Sequence, residues 1–377
     1  MTINYWLYAD SNDGKTSEII NIIKEQFAQA VFCSDFDQLL TNIDNDQSHV
    51  VFLIQPTDSN SARLAANRTE KINEIVWNIQ VKTLISKPIQ CVWFVDELFT
   101  IGRILNWVST FPNLLIVAPG QNTFGMRHYS WVTWQHWFQH SVDVYKHPNM
   151  QNYISTFDPT APKSQLFDAL LGGERSYRTL LHNWIEDDPV LSPQTIMAYR
   201  GIKTTRPEII YEPEMIVSAP VTHAGMHCKL HDVSTMFGTF PPISVYKQTA
   251  YSVVTETNAQ HNYVFFTEKI ARVIACRRLF IAVSSYKYLY YLREAGFKTF
   301  GQIINESYDL EVDDVRRWRM AFEQMQQLAK MDQSWVLEQI QPIVEHNLQV
   351  LMNTNWHAKM SNDVNQILTA RLNFKKS

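Results

Sequence analysis

Residues 165–186 read QLFDALLGGERSYRTLLHNWIE, and the change of pattern at the two adjacent glycines decides the fold. Residues 165–171 form an apolar run interrupted by one aspartate, as expected of a strand buried on both faces. From 174 to 186 the residues Tyr177, Leu180, Leu181 and Trp184 recur at helical spacing, which predicts a helix with those four on its inner face. Arg175, Arg178 and His182 fall on a different face. A strand that feeds a helix through Gly172-Gly173 is the place where a parallel α/β sheet brings a ligand phosphate onto backbone N–H groups. Gly173 with Arg175 or Arg178 is therefore a candidate phosphate contact, and a solvated basic face is the competing reading.

Outward from this stretch the alternation repeats. Residues 3–9 (INYWLYA) predict a strand, and Ile19, Ile22, Ile23 and Phe27 after them predict a helix. Further strands are expected at 50–54, 91–95 and 114–118, with a helix over 69–85. On the C-terminal side, strands at 251–255 and 279–283 flank a helix that begins at Thr267. Residues 187–242, rich in Pro, Thr and His, predict irregular structure. Residues 147–163 carry Pro148, Pro159 and Pro162 without periodicity and predict a linker. From about 313 onward Trp318, Phe322, Met325, Leu328, Val336, Ile340 and Ile343 keep helical spacing. Strands alternating with helices imply parallel sheets covered on both faces. The expected organisation is α/β: two Rossmann-like lobes, 1–150 and 164–312, a linker at 151–163, and a C-terminal helical segment, 313–377.

Composition narrows the function. Only 11 of 377 residues are glycine, against 11 tryptophans, 16 tyrosines and 20 phenylalanines, which excludes collagen-like and disordered classes. A net charge of −4 argues against a broad nucleic-acid-binding surface, so any polyanion would be gripped locally. Cys33, Cys91, Cys228 and Cys276 are too scattered for a metal knuckle and too few for a disulfide scaffold, which fits a reducing compartment. The opening MTINYWLYADSNDGKT has no basic stretch ahead of an apolar run, and no apolar run reaches the ~18–20 residues of a membrane helix. The expectation is a cytoplasmic protein without a membrane partner.

The most informative constellation lies at 251–270. YSVVTETN ends a strand in Glu256 and Asn258, and FFTEKI opens a helix for which Thr267 is the natural N-cap. Lys269 in the first turn adds its charge to the positive end of the helix dipole, a penalty that a bound anion would reverse. Glu268 beside it is suited to accept hydrogen bonds from the vicinal hydroxyls of a ribose. A capped surface helix is the plainer interpretation of the same letters.

YSVVTETN…YVFFTEKIARVIACRRLFIAV resembles the donor-binding signature of the α-1,3-fucosyltransferase family and of related phage-encoded glycosyltransferases. LFDALLGGERSYRTLL and YLYYLREAGFKTFGQIINESYD (288–309) are similar to the phage proteins as well, so the resemblance covers about 165–310. It implies a two-lobed GT-B architecture with 164–312 as the nucleotide-sugar lobe and 1–150 as the acceptor lobe. It further implies a UDP- or GDP-sugar as co-substrate, inverting transfer and no required metal. Carried over residue by residue, Asn258, Glu268 and Lys269 match nucleotide contacts and Glu256 matches a strand-end carboxylate, with the capping Thr267 counted among the donor-site candidates. Arg175 or Arg178 matches the arginine that meets the diphosphate. Phe265 stands where the family has a tyrosine. The implied acceptor is a hydroxyl on a DNA base such as 5-hydroxymethylcytosine, or on a glycan, with host cytoplasm as the location if the chain is phage-encoded.

Inverting transfer needs a carboxylate base from the N-terminal lobe. Asp10, Asp96 and Glu97 follow expected strands, at the edge where α/β sheets bind ligands, and nothing in the sequence separates the three. A rival function uses Gly14-Lys15-Thr16 as a phosphate loop with Asp96 as its magnesium partner, making an ATP-dependent enzyme. Against it, that loop has a single glycine and carries Asp10 and Asp13, whose charges oppose phosphate. His227, Cys228 and His231 lack a second ligand pair. Trp131, Trp134 and Trp137 at i, i+3, i+6 suggest a packed helix face.

Overall fold

A computed structural model of the chain describes residues 3–9, 20, 23–24, 28–43, 48–54, 80, 82–84, 86–87, 89–94, 114–117, 121–122, 136–200, 216–217, 227–230, 232–260, 263–359, 362–363 and 366. It divides into two compact units: one comprises Met1–Gln121, Gly125–Trp134 and Trp356–Ser377, the other chiefly Gln135–Asn355.

The first unit is built on a five-stranded sheet. Its strands are β1 (Ile3–Ala9), β2 (Val31–Cys33), β3 (Ser48–Ile54), β4 (Gln90–Phe94) and β5 (Leu114–Val117), in the order β2-β1-β3-β4-β5. All four pairings are parallel. Helix α1 (Phe36–Ile43) buries Leu39 and Ile43. Leu7, Ala9, Val50, Phe52, Ile54, Val92 and Phe94 form one core cluster with Ile20 and Ile23. Strands β1, β3, β4 and β5 stand where the apolar runs predicted them. The helix expected over 69–85 lies mostly outside the described residues.

The second unit contains helices α2 (His136–Lys146) and α3 (Pro148–Ser155), then strand β6 (Gln165–Gly173), helix α4 (Ser176–Glu186) and strand β7 (Thr195–Arg200). A hairpin of β8 (His227–Leu230) and β9 (Val233–Met236) follows. Strand β10 (Thr249–Thr255), helix α5 (Glu268–Ala275), strand β11 (Phe280–Val283) and helices α6 (Tyr288–Glu294), α7 (Asp314–Leu328) and α8 (Gln333–Asn353) complete it. The main sheet runs β11-β10-β6-β7 and is parallel throughout. Every residue of β10 is buried, as its position inside a parallel sheet requires. Each unit therefore carries a parallel sheet with helices, compatible with a Rossmann-like fold.

Four sequence expectations need correction. The 151–163 linker is in part helix, because Pro148 sits at the first helical position, where its missing N–H costs nothing. The Asn149 N–H donates to Nδ1 of His147, and Met150 and Ile154 are buried. The boundary near 150 moves to about 135, since α2 packs on this unit: the Tyr145 hydroxyl donates to the Thr239 carbonyl at 2.7 Å, and Phe138 meets Phe266 at 6.2 Å between ring centres. The C-terminal helices through Asn355 belong to the same unit rather than forming a separate segment from 313. The stretch 187–242 also supplies β7, an edge strand that the sequence reading passed over.

A buried ion pair crosses the sheet. Arg278 Nη2 donates to Asp168 Oδ2 at 2.7 Å, its Nε to Ser252 Oγ at 2.8 Å and its Nη1 to the Thr249 carbonyl at 2.8 Å. The guanidinium lies 4.1 Å from the centre of the Tyr246 ring.

Candidate functional site

Chain order in the second sheet, read from its edge, is second, first, third, fourth. The connection from β6 through α4 leads to β7 on one side, and the chain then crosses back to place β10 on the other. The reversal falls between β6 and β10, and the crevice beyond the carboxyl ends of such neighbours is where open α/β sheets bind ligands. The strand ends there are Gly172-Gly173 and Thr255-Glu256.

Gly172 has φ +71°, and the register of β6 against β7 shifts between Leu170 and Gly172. A β-carbon at Gly172 would lie 3.4 Å from Arg178 Nη1, whereas one at Gly173 would have nothing within 4 Å. Gly172→Ala is therefore expected to cost about 1–2 kcal/mol, the penalty of the left-handed region for a residue with a side chain. Gly173→Ala should change stability by less than about 0.5 kcal/mol, within the range of an unstrained substitution. Equilibrium urea unfolding of the two variants checks the difference, and equal stabilities would contradict the backbone assignment.

Arg178 faces inward, not outward. The buried stripe of α4 is Tyr177, Arg178, Leu181 and Ile185, so the helix is rotated from the predicted Leu180 and Trp184 face. Arg178 Nη1 donates to the Gly173 carbonyl at 3.1 Å, and Nη2 to the carbonyls of Thr255 at 3.3 Å and Glu256 at 3.2 Å. One guanidinium thus holds the ends of both strands that flank the reversal. Tyr177 supports it, its hydroxyl donating to the Glu256 carbonyl. Arg178 Nε and Thr255 Oγ1 are buried without a hydrogen-bond partner, and unsatisfied polar atoms of this kind call for a specific explanation. Arg175 occupies the N-cap position of α4 with extended backbone and makes no side-chain cap.

Glu256 is fully buried. It accepts from the Thr267 N–H at 3.3 Å, the Thr257 N–H at 3.3 Å, the Tyr288 hydroxyl at 2.7 Å and the Thr267 hydroxyl. Burial raises its carboxyl above the ordinary range, against the opposing pull of Lys269 and Thr267. Thr267 caps α5 as its sequence predicts, accepting from the Lys269 N–H at 3.3 Å. The Lys269 ammonium donates to Thr257 Oγ1 at 3.0 Å, Thr267 Oγ1 at 3.3 Å and Glu268 Oε1 at 2.6 Å. Burial acts to raise the Glu268 carboxyl, but the charge and hydrogen bond of Lys269 hold it below its ordinary value. Glu268 lies against Gly238, where a β-carbon would be 3.3 Å from its Oε1.

Asn258 does not join this group. Its amide donates to the carbonyls of Gln260 at 2.8 Å and Tyr263 at 3.0 Å, shaping the loop between β10 and α5. The loop is held from two sides. Gln260 Nε2 donates to Ser176 Oγ at 2.9 Å, while Arg317 Nη2 and Trp318 Nε1 of α7 each reach the Ala259 carbonyl at 3.0 Å. Arg317 Nε also donates to the Ser284 carbonyl at 2.9 Å, past the end of β11. Tyr288, Arg317 and Thr257 were absent from the sequence-derived set.

The structure brings Gly173, Arg178, Glu256, Thr267, Glu268 and Lys269 to one sheet edge. Asp10, Asp96 and Glu97 lie outside the described residues, as do Gly14, Lys15 and Thr16. Strand β1 ends at Ala9 and β4 at Phe94, so these residues follow strand ends in the chain. His231, Trp131 and Trp134 also fall outside. Among the described residues no group of three or more His, Cys, Asp or Glu side chains is placed to hold a metal ion. No described helix is long and apolar enough to cross a membrane. Comparison of the chain with protein-family models, with curated proteins and with solved structures gives no match.

Proposed function

We propose that the protein is a nucleotide-sugar-dependent glycosyltransferase with a GT-B arrangement, in which residues 135–355 hold the donor. The observation that carries this reading is the convergence at the β6–β10 reversal. The N-terminus of α4 lacks a side-chain cap, Gly173 leaves room above the backbone, and Lys269 sits in the first turn of α5 beside Glu268. N–H groups and the positive end of a helix dipole suit a diphosphate, and a neighbouring carboxylate suits ribose hydroxyls.

In this scheme Lys269 and Arg175 meet the diphosphate of a UDP- or GDP-sugar, and Glu268 accepts from the ribose. Arg178 fixes the strand ends, with Nε among the donors it has left. Glu256, Asn258 and Thr267 shape the site without touching the donor. One of Asp10, Asp96 and Glu97 removes the proton from the acceptor hydroxyl, on a hydroxymethylated DNA base or a glycan. The sugar is transferred with inversion as the nucleoside diphosphate leaves, its growing charge met by Lys269 and the helix N-termini without a metal.

A thermal-shift panel of UDP-, GDP-, CMP- and dTDP-sugars tests the reading. A ligand present at 100 times its Kd adds about 2.7 kcal/mol to stability. One UDP- or GDP-sugar is expected to raise Tm by several degrees while the other classes leave it in place. No shift with any of the four would remove the assignment.

A further inference from the structure

Tyr288 begins the helix after the outer strand β11, yet its hydroxyl ends on the carboxylate of Glu256, the residue that follows the inner strand β10. The main chain is arranged to bring it there. Lys287 adopts the left-handed region at φ +63°, with its N–H donating to the Asp309 carbonyl at 2.8 Å. The Asp309 carboxylate accepts from the N–H groups of Leu289 at 2.7 Å and Tyr290 at 2.9 Å. A lysine in that region is uncommon, and it persists where its surroundings fix it.

The hydrogens around Glu256 can be assigned one by one. Two backbone N–H groups, from Thr257 and Thr267, can only donate to it. The Thr267 hydroxyl accepts from the Lys269 N–H and from the Lys269 ammonium, so its single proton is directed to Glu256. The Tyr288 hydroxyl supplies the fourth donor. Four donors saturate the carboxylate and oppose, without reversing, the upward push that burial gives it.

We infer that Tyr288 is a positioning residue: by donating to Glu256 Oε1 it holds the carboxylate whose Oε2 takes the Thr267 proton, and through Thr267 and the Thr257 segment it sets the ammonium of Lys269 at the sheet edge. The inference rests on the reading of Lys269 as a phosphate contact. The charged and titratable groups that face Glu256 are Lys269 and Glu268 from α5, Tyr177 and Arg178 from α4, and Tyr288 itself. Asp309 and Tyr308 face Tyr288 from the other side. Removing the phenol hydroxyl leaves Glu256 with three donors and loosens the carboxylate that holds Thr267, and with it the contacts of the Lys269 ammonium.

Competitive amine acylation of the full chain across a pH series, read by mass spectrometry at Lys269 with exposed Lys298 as internal control, tests this without a transfer assay. In Tyr288→Phe the acylation of Lys269 relative to Lys298 is expected to rise about 3–10-fold at a fixed mildly alkaline pH, as an amine loosened from Thr257 and Thr267 opens to the reagent, within the range of coupling in one hydrogen-bond network. Glu256→Gln should raise it at least as far, and Tyr288→Phe added to Glu256→Gln should bring no further change. A Lys269 profile in folded Tyr288→Phe that matches the parent overturns the inference, as does an additive effect in the double variant. If Tyr288→Phe alone fails to fold, the comparison of Glu256→Gln with the parent decides, an unchanged Lys269 profile overturning the coupling. Inorganic pyrophosphate, added as the probe in a parallel series, separates the two layers. Protection of Lys269 by pyrophosphate supports the phosphate reading, and its absence removes that reading while the variant comparison still decides the role of Tyr288.

Discussion

Replacing Arg278 with methionine is expected to destabilise the protein by about 3–5 kcal/mol, the usual consequence of removing one partner from a buried ion pair. Asp168 and Arg278 are both almost wholly inaccessible, and the carboxylate left behind would keep only the hydroxyls of Ser252 and Thr249 as donors. Arg278 also ties the Thr249 carbonyl at the start of β10, so its loss would loosen the strand that ends at the site. Equilibrium unfolding in urea measures the effect. Because the charge left unpaired is the main cost, Asp168→Asn combined with Arg278→Met should recover much of the loss. A single-variant loss below about 1 kcal/mol would place the pair in the class of weak exposed bridges.

Lys269→Ala is expected to lower kcat/KM for sugar transfer by a factor on the order of 10²–10³, the range seen when one donor to a developing negative charge is removed. The side chain is already placed, since its three hydrogens meet Thr257, Thr267 and Glu268 before any ligand arrives. A group placed in advance costs little reorganisation when charge develops on the leaving diphosphate. The measurement is a transfer assay with the donor identified in the thermal-shift panel, and an unchanged rate would remove Lys269 from the mechanism.

Much of the second sheet was legible because strands buried on both faces are rich in apolar and β-branched residues, as in YSVVT and FIAV. The cap at Thr267 was legible for a local reason: a threonine before an amphipathic stretch serves its own helix. Helix α3 was misread because proline is a breaker inside a helix but a favoured residue at its first position, and the distinction depends on where the helix begins. Arg178 was misread because arginine is rarely buried without a partner. Its partners are main-chain carbonyls of Gly173, Thr255 and Glu256, which no side-chain pattern announces. Arg178, Leu181 and Ile185 keep i, i+3, i+7 spacing as regular as that of Tyr177, Leu180, Leu181 and Trp184. Strand β7 escaped because TIMAYR is short and lies at a sheet edge, where one side of the backbone has no strand neighbour and the apolar signal thins. Without β7 the order of the sheet, and with it the position of the reversal, could not be drawn. Tyr288 gave no signal at all: a tyrosine in KYLYYL has no local feature that points to a carboxylate 32 positions earlier.

The grip of α7 on two strand-end loops bears on how the chain can be divided. Arg317 and Trp318 hold Ala259, and Arg317 holds Ser284, so the loops after β10 and β11 take their shape from a helix that follows them by dozens of residues. A fragment ending near residue 312 would keep every strand of the sheet and lose the clamp on both loops. The stretch 165–310, which looks self-contained in the sequence, is therefore not an excisable binding module, and a minimal expressible piece has to run from about 135 to 355.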